Sequence, residues 1–326
     1  LRESSSPVER LQAARYGAAA VRERMLASPP VQYYRSLDLI RVPYPTRFAL
    51  REACRIKTPV IHIFNRVFVV QTETPYGLRT ILVSPSDIDA NGETPFFRRI
   101  ADRMGRLQPH LAPLLAPRSA TVEEALRLTG IRPEQVDYIT YDHLHTQDVR
   151  RWLGSQDRPG VFPKAKLLVR RQEWISAHAL LAPQRDWYCP NGLHGIPDER
   201  VILLDHDVHI GDSIALIATP GHTEGNHSIA VRTNEGVMVT SENGVGPDAY
   251  APEHSRIPGV RQYVKDTGME VVINGNTMEG GLDQYVSMIL EKTLAGPSVR
   301  NPNFPNMVCS SELTAFWAFP GIKPTL

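Results

Sequence analysis

Residues 141–148, YDHLHTQD, set His143 and His145 one residue apart behind the β-like run Val136, Tyr138 and Ile139. Side chains alternate along a strand, so both imidazoles would turn to one side, two nitrogens spaced for a metal ion. One His-x-His pair is weak on its own, because isolated histidines are more often ordinary core or surface residues. The weight comes from a second segment, IALIATPGHTEGNHSIAV, where another apolar run enters a Thr-Pro-Gly turn with His222 at its tip. Three imidazoles at strand ends suit a zinc site with an open fourth position for water. Two further apolar runs end in polar tips: VMVTSENG presents Glu242, and MEVVINGN presents Asn274 and Asn276. Four polar tips on four strands point to chemistry rather than packing.

A zinc ion on three neutral histidines keeps two positive charges, lowering the pKa of bound water to about 7. Asp148 or Glu242 is the group expected to orient that water or accept its proton. Residues 180–199, LLAPQRDWYCPNGLHGIPDE, are the expected wall of the site. There Trp187 offers a stacking surface and Tyr188 a hydroxyl for a developing oxyanion. The plain alternative is a surface loop pinned by Trp187. His206 and His209 precede a turn and read as a solvated strand edge. His227 faces the site or caps its loop, His254, on the segment after Glu242, is an alternative to Asn274 and Asn276 as a further ligand, and Cys189 is a passive neighbour with no low-pKa signature.

The elements that must position these residues follow from periodicity. Residues 7–26 carry Leu11, Ala14, Tyr16, Ala18, Val21 and Met25 at mostly helical spacing, which predicts an amphipathic helix. Residues 60–71 and 78–83 are β-rich and separated by Pro75, Tyr76 and Gly77, a hairpin signature. A helix is expected within 96–116, and TVEEALRLTG offers a second, with Thr121 and Glu124 as a capping box and Gly130 as its stop. KAKLLVRRQEWISAH reads as strand then helix, and RVILLDHDVHIGDSIALIATPGH as two strands joined by a Gly-Asp turn. HSIAVRTNEGVMVTSEN is a hairpin around Asn234, Glu235 and Gly236, and the last units read helix, strand, helix. Two sheets face to face with helices outside would satisfy this order.

Composition bounds the rest. The chain has 326 residues, 42% apolar and 22% charged, with a formal net charge of +1, which gives no reason to expect a nucleic-acid partner. The first sixty residues hold eleven Lys and Arg against five Asp and Glu, a modest excess without an evident set of aromatic readers of nucleic acid. Cys54, Cys189 and Cys309 are far apart and lack any C-x-x-C pairing, so a disulfide framework is not suggested and a reducing, cytoplasmic compartment is expected. No apolar run is long enough for a membrane span. The final segment places Phe304, Phe316, Trp317 and Phe319 in a Pro-rich tail that needs a partner surface. Together with the N-terminal helix, it leads us to expect a homo- or hetero-oligomer.

On YDHLHTQD, TPGHTEGNHSIAV and VTSEN, the chain resembles the metallo-β-lactamase superfamily and its lactonase-like branch, over roughly residues 58–290. The resemblance implies an α+β fold, the four-layer αββα sandwich, with an N-terminal helical extension (1–57), a core domain (58–295) and a C-terminal tail (296–326). It implies that His143, His145 and His222 hold the first metal, zinc by preference, although iron and manganese suit the same ligands. The second metal position departs from the pattern. Where the family has Asp then His, this chain has Gln147 then Asp148; Glu242 stands for a bridging Asp, and Asn274 or Asn276 for the last His. Asp148, Glu242 and Asn276 remain oxygen donors for a weaker or altered second site. The implied activity is hydrolysis of a small-molecule ester, lactone or activated aryl ether by metal-activated water. The alternative is a catalytically degenerate subunit supporting an active partner chain.

Overall fold

The elements that hold the polar tips, taken from a computed structural model describing residues 4–276 and 280–313, are these. In chain order they are helix α1 (Pro7–Ala27), strands β1 (Tyr33–Pro45), β2 (Val60–Thr74) and β3 (Gly77–Val83), helix α2 (Val122–Thr129), strands β4 (Val136–Thr140) and β5 (Lys166–Arg170), and helix α3 (Arg171–His178). Strands β6 (Val201–Leu204), β7 (Val208–Ile210), β8 (Ile214–Ala218), β9 (His227–Thr233) and β10 (Gly236–Thr240) follow, then helices α4 (Val260–Thr267) and α5 (Gly281–Ala295). Of the described residues, 32–42 and 64–205 form one compact unit and the remainder another. Among them no helix is long and apolar enough to cross a membrane.

One sheet runs in the order β1-β2-β3-β4-β5-β6. Its hairpin is the one expected: Phe68 lies opposite Val83 and Thr74 opposite Gly77, leaving Pro75 and Tyr76 at the tip. From β3 the chain crosses through α2 and returns parallel, Ile81 beside Tyr138 and Val83 beside Thr140. The expected caps of α2 are present, with Thr121 and Glu124 bonded reciprocally and Gly130 left-handed at φ 72°. They end the helix where its buried residues Val122, Ala125 and Leu126 stop. β5 and β6 continue the parallel ladder, Ile139 beside Leu167 and Leu168 beside Ile202. Such strands are buried on both faces and so read as continuous apolar runs, as LLV in β5 does.

The second sheet is antiparallel, ordered β10-β9-β8-β7, with Ile214 opposite Val231 and Ala218 opposite His227. The hairpin closes where Thr233 faces Gly236, whose φ of 105° requires glycine. Helix α5 packs on α1, β9 and β10. α1 begins on Ser6, whose hydroxyl accepts from the Glu9 N–H, and buries Ala14, Ala18 and Met25. Tyr16, expected on that apolar face, is 82% exposed. A mixed sheet, an antiparallel sheet and helices against them make the α+β class expected from the sequence.

Two readings are corrected. The segment 201–218 forms three strands rather than two, and β6 belongs to a different sheet from β7 and β8. The break falls at acidic residues: Asp205 pairs with Arg171, and the Asp207 carboxylate accepts from the Ala218 N–H. The run Met269–Ile273 is no strand. Its backbone bonds go elsewhere, Val272 N–H to Ala249 O and Asn274 N–H to Asn243 O, so a buried apolar run follows a loop path. Phe316, Trp317 and Phe319 lie outside the described residues, and the Phe304 ring centroid is 6.2 Å from that of His254.

Candidate metal centre

Strand β4 ends at Thr140, so His143 and His145 stand on the loop beyond it, not on the strand as period two would have it. Loop bonds set their geometry instead. Leu144 N–H donates to Glu173 Oε1 at 2.8 Å, Thr146 N–H to Trp187 O at 2.7 Å, and Thr146 adopts a left-handed φ of 62°. The two imidazoles meet edge to face, centroids 4.8 Å apart and planes at 90°. Both are buried. Asp142 Oδ2 lies 3.3 Å from His143 Nδ1, which puts a carboxylate beside one ring nitrogen.

Glu173, on α3, was not singled out from the sequence. Fully buried, it accepts from Leu144 N–H and from the Tyr188 hydroxyl at 3.3 Å. Tyr188 therefore turns its hydroxyl to Glu173, while its ring meets that of His145 in a T-shaped pair, centroids 4.8 Å apart. Trp187 stacks on Phe96 at 4.6 Å, so the loop reading 180–199 is pinned by its tryptophan and also lies against a histidine of the site. Asp148, 1% exposed, is clasped by Arg150 through Nε at 3.0 Å, through a second guanidinium nitrogen and through the Arg150 backbone N–H. Burial pushes the Cys189 thiol up to about 12, with the Asp148 charge adding to it, which suits a passive neighbour.

His222 lies beyond β8 on the Thr-Pro-Gly turn. Its N–H donates to Asn243 Oδ1 at 2.9 Å. Glu242 follows β10, and its Oε1 accepts from the Ser310 hydroxyl at 2.9 Å. Asn274 Oδ1 accepts from the Tyr44 hydroxyl at 2.8 Å. Burial, and then the charge of Glu242, hold that phenol well above its usual range, so it stays a donor. Asn276 Oδ1 is buried and accepts no hydrogen bond among the described residues, which leaves it the more available amide oxygen of the two. His206, His209 and His254 are exposed, and His227 starts β9 fully buried.

The ligand atoms of His143, His145 and His222 all lie within 4.8 Å of one another. Zinc–nitrogen bonds are about 2 Å long, so two ligands of one ion stand at most about 4 Å apart; imidazoles this near reach a shared ion with a small side-chain adjustment, and three neutral imidazoles are a borderline-soft donor set suited to zinc. A second such group joins Asp142 and Glu242 to His143. Asp148 stands in neither group.

No family model matches the chain. An N-acyl homoserine lactonase of Bacillus cereus is 25% identical over 114 residues, 35% of this chain and 40% of that protein. The N-acyl homoserine lactonase AttM of Rhizobium radiobacter is 25% identical over 161 residues, 44% of this chain and 54% of that protein. The matches thus span about half the length of these relatives. The crystal structure of a quorum-quenching N-acyl homoserine lactone hydrolase superposes with a TM-score of 0.53 at 14% identity, over 91% of this chain and 98% of that one. The chain has the metallo-β-lactamase fold. Within that fold its resemblance runs to the lactonase-like, metal-dependent branch. The three histidines occupy the segments that carried the resemblance in the sequence, and the added carboxylates Asp142 and Glu173 act through contacts that no spacing rule displays.

Proposed function

We propose that this metallo-β-lactamase-fold protein is a metal-dependent hydrolase of a small-molecule ester or lactone, with His143, His145 and His222 as the ligands of one divalent ion, zinc by preference. The grouping of the three imidazoles carries the reading. A divalent ion held by these residues would supply a water of pKa about 7 and a positive charge to polarise an acyl oxygen. Hydrolysis then adds the oxygen of water to the acyl carbon, breaks the bond to the leaving oxygen and delivers a proton to it. Glu242, grouped with Asp142 and His143, is the carboxylate assigned to carry that proton. Asp142 orients the His143 ring, and Tyr188 packs against that of His145. Asp148 has a supporting place, held by Arg150 on the loop beyond the His-x-His pair. Asn276 is the amide assigned to a weaker second oxygen site. The names of the relatives favour a lactone as substrate.

Metal content per chain, measured on wild type and His143→Ala, is the first test, joined to proton release from a panel of N-acyl homoserine lactones and aryl esters. About one to two equivalents of metal and turnover in wild type, both lost in the variant, is the expected result. Absence of bound metal, with none taken up on adding zinc, iron or manganese, would overturn the hydrolase and leave the second reading, a fold kept for assembly with a partner.

A further inference from the structure

Helix α5 is apolar over most of its buried face, yet Gln284, Ser287 and Glu291 are buried with it. Spaced i, i+3 and i+7, they lie along one side of the helix. All three reach segments that flank His222. Gln284 Nε2 donates to Asn243 O and to Asn274 O, both at 2.8 Å. The Ser287 hydroxyl donates to Pro220 O at 2.7 Å. Glu291, with no exposed surface, accepts at both oxygens: Oε1 from the Ser228 hydroxyl at 2.9 Å and from Asn243 Nδ2 at 2.7 Å, Oε2 from the Tyr250 hydroxyl at 2.7 Å.

A carboxylate is a costly way to fill a helix–sheet interface, since burying its charge is repaid only by complete hydrogen bonding. What it supplies that an amide or a leucine would not is acceptance at both oxygens. Asn243 shows what that is used for. The two ends of its amide have opposite polarity, and a half-turn would exchange them. Nδ2 faces two acceptors, Glu291 Oε1 and Thr219 O at 3.0 Å, while Oδ1 faces the His222 N–H. The acceptors on one side thereby keep an acceptor presented to His222 on the other. Thr219, on the same turn, is tied in by Asn226 Nδ2 at 2.9 Å and by the Ser228 hydroxyl at 2.8 Å.

We propose that Glu291 is a positioning residue for His222, acting through the side-chain amide of Asn243. It touches neither the histidine nor any substrate. Its consequence for metal affinity rests on the hydrolase reading above, whereas its hold on the His222 backbone does not. With Gln at 291 an amide NH2 competes for the same place, the polarity of Asn243 is fixed by Thr219 O alone, and the turn samples other positions.

The test has two readouts at pH 8: hydrogen exchange of the His222 amide in metal-free protein, and zinc affinity by competition with a chromophoric chelator. Glu291→Gln should speed exchange of the His222 amide and weaken zinc binding by about tenfold, as expected for groups that orient a ligand. Tyr250→Phe removes a donor from the other oxygen of the same carboxylate, so it should lower thermal stability while leaving both readouts within about twofold of wild type. If Glu291→Gln does not fold, Asn243→Ser, too short to span the two contacts, should show the same pair of losses. Wild-type exchange and affinity in a folded Glu291→Gln or Asn243→Ser would overturn the proposal, as would Tyr250→Phe matching the losses. A wild type that takes up no zinc would sink the metal reading alone, because exchange at His222 still decides the relay.

Discussion

Asp148 brings a carboxylate to a place that leaves it 1% exposed, and Arg150, two residues on, meets it with its guanidinium and its own backbone N–H. Removing one partner of such a pair strands the other charge away from water. Arg150→Ala should therefore destabilise the protein by about 3 kcal/mol in urea unfolding, and Arg150→Lys should recover only part, because an ammonium lacks the planar fork. A loss under about 1 kcal/mol would show that water reaches the Asp148 carboxylate. At this scale the sequence was informative about residue types and blind to contacts. The replacement of Asp and His by Gln147 and Asp148 could be read from the motif alone, but not that Arg150 would occupy the new carboxylate. Asp142 and Glu173 were hidden for the same reason: each matters through its contacts, Asp142 with the His143 ring and Glu173 with the Leu144 N–H and the Tyr188 hydroxyl.

The elements were legible where local rules set them. The hairpin of β2 and β3, the capping box of α2 and the hairpin of β9 and β10 each depend on a few adjacent residues, and all stand where the pattern puts them. The misread strand at 269–273 shows the opposite case. Its apolar residues are buried, but whether such a run joins a ladder depends on partners distant in sequence, and here the N–H groups go to loops. Helix α5 was legible as a helix and not as a support, since polar residues on a buried face break the amphipathic rule. Its close approach to the Thr-Pro-Gly turn makes a direct test. Gly221 has φ 152°, and a Cβ placed there would come within 2.2 Å of Gln284 Cα. Because that atom belongs to the helix backbone, α5 or the turn must move. Gly221→Ala should cost about 2 kcal/mol or more and lower zinc affinity together with stability. A variant as stable as wild type would mean that the turn has room the packing does not show.

For the molecule as a whole, the same buried carboxylate couples folding to pH. Burial pushes Glu291 up to about 7 from its ordinary 4.5, against the hydrogen bonds from Tyr250, Asn243, Ser228 and Ser241 that pull it down. Below about pH 4.5 both folded and unfolded chains carry the proton and the group leaves stability untouched. As pH rises toward 7 the folded chain keeps a proton the unfolded chain has released, so stability falls, by about 1.4 kcal/mol per unit and about 3 kcal/mol in all. Asp89 and Asp186, lowered chiefly by hydrogen bonds from Arg118 and Arg99, act with the opposite sign, and only as pH falls toward 3.8 and below. Comparing wild type with Glu291→Gln removes these shared contributions. From pH 5 to pH 8 the variant should gain about 2 to 3 kcal/mol relative to wild type in urea unfolding, because Gln has no proton to lose. A difference constant across that range would place the carboxylate in contact with water and its pKa near the ordinary value. At pH 8, then, one substitution should move two quantities in opposite directions: its pH-linked penalty disappears while His222 is held less well. That divergence separates a carboxylate kept for positioning from one kept for stability.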